Sequence, residues 1–189
     1  LFVPGLATAE ESPDPKAFEI QWKNGLKIER NDGFHQIQIG GRSFLDFASV
    51  NASQGLAAQF PGATVVTGDG VEFRAARLFV SGTLYERVVF KTEYDFADST
   101  NALKDVYLGL QQIPWLGELR VGHFYEPFSV EQMGSSRFTT FMERALPVAF
   151  SPGRNVGIDV ANTAAGDRIA WALGAFRDTN DNGLGFDND

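Results

Sequence analysis

The sequence predicts an all-β fold of antiparallel strands. Apolar and polar residues alternate with period two through most of the chain, as half-buried strands require. Clusters of Gly, Pro, Asn and Asp punctuate the alternating runs at hairpin spacing. No window approaches the roughly 18 consecutive apolar residues of a membrane-spanning helix, and the mean hydropathy is −0.15.

The elements follow in order. Residues 1–9, LFVPGLATA, carry the A-x-A pattern at Ala7 and Ala9, and Pro13 and Pro15 keep the next stretch extended. Segment 1–16 therefore reads as a signal-peptide remnant or a flexible N-terminal segment. Residues 17–177 form the strand-rich body. Residues 26–29 alternate, and Asn31-Asp32-Gly33 gives a hairpin turn, because Asn and Gly tolerate positive φ. In residues 34–47, Ile37, Ile39, Leu45 and Phe47 share one face and Gln36, Gln38, Arg42 and Asp46 the other. Residues 51–70 read as a loop. Residues 73–84 form a strand whose parity breaks at Ala75-Ala76, which predicts a bulge there. Residues 88–96, 105–111, 119–125, 156–160 and 169–177 complete about eight strand segments. Of these, 88–96 alternates most strictly, with Val88, Phe90, Thr92 and Tyr94 opposite Val89, Lys91, Glu93 and Asp95.

Between the last strands lies a long loop. The stretch 122–157 carries Arg137, Arg144 and Arg154 among aromatic and hydroxyl residues. Loops of this length in compact proteins are usually functional. Fixed cations on a strand-rich scaffold suggest a gate for anions. A short helical turn is expected at 138–145, and 151–154 reads as irregular.

Alternation alone fits two solvents. A soluble sandwich buries its apolar face, whereas an outer-membrane barrel turns that face to lipid and lines an aqueous lumen with the polar one. Three features lean to the barrel: both charge signs on the polar face of nearly every strand, aromatics at strand ends (Phe44, Phe47, Tyr94, Phe96, Tyr125), and short turns alternating with long loops. The rival is a soluble periplasmic β-sandwich binding module. The net charge of −8 argues against nucleic acid. With no cysteine there is neither a disulfide nor a thiolate metal site. No catalytic or cofactor motif occurs, and His35 and His123 stand alone, so neither enzyme chemistry nor a cofactor is expected.

The segments GGRSFLDF, FRAARLFVSGT, LKDVYLGL, GHFYEPFSVEQMGSSRFTTFMER and NVGIDV together resemble the phosphate-selective porin O and P family, over most of residues 34–176. The spaced SSR and MER triplets in the loop are the specific part. The resemblance implies an antiparallel transmembrane β-barrel of about sixteen strands, homotrimeric and set in the lipid of the bacterial outer membrane. Residues 17–177 are then part of the barrel, its N-terminal half, with a constriction loop at 126–152 folded inward. It also implies a water-filled diffusion channel for phosphate or other small anions. The central site falls on Arg42, Arg74 and Arg144, with Asp105 orienting the arginines or limiting anion trapping, Ser135 and Ser136 as hydroxyl donors, and Arg137 as a flanking cation. Two positions depart from phosphate-specific members, Ala75 where they carry Arg and Gln132 where they carry Lys. A general, non-selective porin is the alternative. Residues 178–189 read as the start of an acidic extracellular loop. Asp178, Asn180, Asn182, Gly183 and Asp189 also fit a calcium-loop spacing, though without its flanking helices.

Overall fold

A computed structural model describes residues 14–50, 68–97, 103–141, 143–180 and 183–185. Among the described residues nine strands make one sheet: β1 Phe18–Trp22, β2 Leu26–Arg30, β3 His35–Val50, β4 Gly68–Leu84, β5 Val88–Asp95, β6 Leu103–Ile113, β7 Gly117–Tyr125, β8 Arg154–Ala164 and β9 Ile169–Arg177. Each pairs antiparallel with its neighbours in sequence, in the order β1 to β9, and the sheet is not closed. Helical structure among the described residues is confined to the long loop: α1 at Val130–Met133 and 3₁₀ turns at Ser136–Phe138 and Leu146–Phe150.

The strands run longer than their alternating cores suggest. β4 begins at Gly68 and β8 at Arg154, so residues 68–70 and Arg154 belong to strands rather than to loops. β1 joins the sheet through a tight turn at Asn24-Gly25. β3 and β4, at 16 and 17 residues, exceed the ~9–11 residues that cross a bilayer. At five residues each, β1 and β2 fall short of that span. Short turns at 31–34, 85–87, 114–116 and 165–168 close one end of the sheet, and the β1–β2 turn at 23–25 and the long β7–β8 connection lie at the other. In the 85–87 turn Tyr85 and Glu86 both take left-handed backbone, φ 53° and 59°. The Tyr85 ring packs edge-on against His35 and Phe34 there, which holds a conformation that neither Gly nor Asn supplies.

The two faces are inverted relative to a soluble protein. On the apolar face Phe47, Leu108 and Leu173 are 73, 60 and 74% exposed, and no second sheet covers them among the described residues. Among the described residues the buried side chains are mostly polar: Glu93, Asp95, His123, Gln132, Asn155 and Asp159, with only Ala75 and Phe124 apolar. A sandwich would bury the first set and expose the second. No helix among the described residues is long and apolar enough to cross a membrane. A single antiparallel sheet with a bare apolar face and a polar interior is the organisation of part of a transmembrane barrel.

The long loop lies against the polar face. The expected helical turn at 138–145 is displaced to either side. Ser129 and Ser135 accept from the backbone N–H groups of Gln132 and Arg137 and so start helical turns before it, and Pro147 starts one after it. Residues 1–9 and 51–67 lie outside the described residues. In the tail, Asn180 accepts from the Leu184 N–H at 3.0 Å and closes a local turn. Asn182 and Asp189 lie outside the described residues.

Candidate functional site

The site is built by a like-charged pair. Register sets Arg42 of β3 directly opposite Arg77 of β4, on the polar face. Cross-strand cations repel, and β5 supplies the compensation. Glu93 Oε1 lies 3.1 Å from Arg42 Nη2 and 3.6 Å from Arg77 Nη1, and its other oxygen accepts from Lys91 Nζ at 2.8 Å. Arg77 is further fixed by Asp95 at 2.6 Å. The network continues across β6 to β8: Asp105 accepts from Lys91 Nζ at 2.6 Å and Arg154 Nε at 2.7 Å. The Arg154 guanidinium stacks 3.8 Å above the Tyr125 ring.

Arg74 enters by a different device. The β3–β4 register steps from Phe44↔Ala75 to Leu45↔Phe73, so Arg74 is the extra residue of a bulge. The bulge falls immediately before the expected Ala75-Ala76 position. It turns Arg74 inward beside Ala75, onto Asp46 at 2.7 Å and over the Phe44 ring. Without it, Arg74 would not share a face with Arg77 and Phe79.

The loop closes over these strand cations. Ser135 Oγ accepts from Arg42 Nη1 at 3.4 Å, Arg137 Nη2 donates to the Gly41 carbonyl at 3.3 Å, and Glu143 approaches Arg74 at 3.9 Å. Arg144 donates through Nη2 to the Gly134 carbonyl, which pins it inside the loop. Neither Arg137 nor Arg144 meets a carboxylate within ion-pair distance among the described residues. The Nε atoms of Arg42 and Arg144 are buried without a hydrogen-bond partner.

A cavity of about 350 Å³ lies between loop and sheet. Six basic side chains line it (Arg42, Arg74, Arg77, Lys91, Arg144, Arg154) against three carboxylates, Glu93, Asp105 and Glu143, with Ser135 and Ser136 on the loop side. Arg137 lines a second cavity of about 300 Å³ that shares Arg42, Arg77, Lys91, Glu93 and Ser135 with the first. The structure thus gathers Arg42, Arg74, Asp105, Ser135, Ser136 and Arg144 about one space and sets Arg137 next to it. Asp105 holds Lys91 and Arg154 rather than the three expected arginines.

Comparison with known proteins decides the family. The family model described as phosphate-selective porin O and P matches residues 38–187. The chain belongs to this porin family. Porin O of Pseudomonas aeruginosa is 25% identical over 129 residues, 66% of this chain and 28% of that protein's length. Membership marks the chain as part of a porin.

Four residues that line the cavity are not among the expected site residues. Arg77 shares a face with Arg42 through their direct pairing across β3 and β4. Lys91 and Glu93 carry the right parity but no distinctive spacing. Arg154 lies in an apparently irregular stretch, and its pairing with Asp105 crosses 49 positions.

Proposed function

We propose that this chain contributes the constriction of an outer-membrane, anion-selective diffusion porin, closed into a barrel and trimeric in the complete protein. The carrying observation is the excess of cations in the cavity beneath the loop. An anion entering a pore sheds water, and preorganised guanidinium donors replace that hydration. Arg144 and Arg137 are held on backbone carbonyls, so their charge is not cancelled locally, and the buried Nε donors of Arg42 and Arg144 suit an oxyanion. The apolar face suits lipid contact, and the loop 126–152 is read as folded into the lumen. Reversal potentials of the full-length protein across a tenfold KCl gradient test this. Anion preference supports it, and cation preference contradicts it.

A second reading, a weakly selective general porin, draws on one feature. Most strand cations are already paired with carboxylates, and Ala75 and Gln132 are neutral beside the site. The same recordings separate the two by the size of the preference.

A further inference from the structure

We infer that Glu93 is a specificity-determining residue of this pore, a resident carboxylate that competes with the passing anion for the donors of the site. The inference rests on the anion-pore reading and adds to it how tightly the pore holds its solute.

Glu93 is 4% exposed, yet it is surrounded by the side chains of the path. Its two oxygens reach three cations from three strands: Arg42 of β3, Arg77 of β4 and Lys91 of β5. It also forms part of the wall shared by the two cavities. An oxyanion moving from one cavity to the other passes Arg42, Arg77 and Lys91, and each already donates to, or faces, Glu93. A structural counter-charge explains the neutralised Arg42–Arg77 pair. It does not require placement at the junction of the two spaces. There, the carboxylate presents to these cations anionic oxygens of the kind a transiting oxyanion would bring, so it fills their donors and repels the newcomer. Arg42 keeps Nε unpartnered, so some donor capacity remains while Glu93 stays in place. The arrangement favours rapid passage over retention.

Removing the charge without the shape therefore tightens binding. In full-length protein carrying Glu93→Gln, inorganic phosphate added to chloride-conducting channels should block the current at about tenfold lower concentration than in the unsubstituted protein. That factor is what the loss of one partly screened neighbouring charge gives. A carboxylate whose only role is to hold the cations together predicts the opposite, since its loss lets them splay and weakens the block. Glu93→Asp, which keeps the charge but draws it back from Arg42 by one methylene, should tighten the block by about twofold, and carries the test if the Gln variant does not fold. Unchanged or weaker block, in whichever variant folds, overturns the inference. Failure of the underlying reading looks different: the unsubstituted channel would then show no anion preference and no phosphate block at all.

Discussion

Arg144→Glu is the substitution to which the proposed filter is most sensitive. Arg144 hangs from the loop on a single backbone carbonyl, lines the cavity, and has no carboxylate partner among the described residues. Its replacement by Glu alters the local charge by two units with nothing nearby to compensate. The cavity's six basic groups against three carboxylates become five against four. For an ion ~6 Å away, each unit charge contributes about 0.7 kcal/mol in bulk-like water and about 3 kcal/mol at an effective dielectric of 20. Even the screened limit, doubled for the two-unit change, is about 1.4 kcal/mol, or about tenfold in the anion's own permeability, and the cation gains by the same factor. The assay is the zero-current potential of full-length channels in planar bilayers under a KCl gradient. The potential should move strongly toward the cation value, and more so at low salt, where screening weakens. An unchanged potential would refute the placement of Arg144 at the constriction.

Three further outcomes follow from the same geometry. Arg42→Ala should shift the reversal potential in the same direction but less, because Arg77 and Lys91 keep their hold on Glu93, whereas Arg177→Ala, on the exposed apolar-face register of β9, should leave it unmoved; equal shifts would mean a diffuse surface potential instead of a filter. Leu108→Arg should cost about 2–4 kcal/mol when refolding is followed in lipid vesicles, as a cation on a lipid-facing strand centre does; a cost below about 0.5 kcal/mol would mean that this face meets water. The Asp32 carboxyl, hydrogen-bonded by the Arg30 guanidinium and the Phe34 N–H in the β2–β3 turn, is held at about 2. Its contribution to that turn is thus complete above the unfolded value of ~3.9 and lost as pH falls through about 2; a carbon-13 NMR titration with its midpoint near 4 would contradict this.

The fold was largely legible because a single sheet with two unlike faces writes its parity directly into the chain. Val88, Phe90 and Tyr94 against Lys91, Glu93 and Asp95 needs no tertiary information. β1 is harder to read because it is only five residues long and follows a Pro-rich segment, although Phe18, Ile20 and Trp22 alternate with Glu19 and Gln21 and Asn24-Gly25 is itself a hairpin signal. The site was legible where family-like motifs carry it, at Arg42, Arg74 and the loop's Ser135, Ser136 and Arg144. It was not legible where geometry alone brings residues together. The bulge sets Arg74 on the same face as Arg77. The stacking of Arg154 on Tyr125 and its bond to Asp105 depend on three strands meeting at one end of the loop. Helical turns in the loop were misplaced because local caps, Ser129 and Ser135, outweigh the composition of 138–145.

The central claim, that the loop's inner side lines the conducting path, is tested most directly at Ser136. This stretch of the protein has no cysteine, so Ser136→Cys in the full-length channel introduces a unique thiol on the cavity wall within it. Addition of a negatively charged, bulky methanethiosulfonate reagent during single-channel recording should cut the conductance in steps and lower the anion preference together. Complete labelling, verified by mass spectrometry, with conductance and selectivity unchanged would place the loop outside the path and contradict the account.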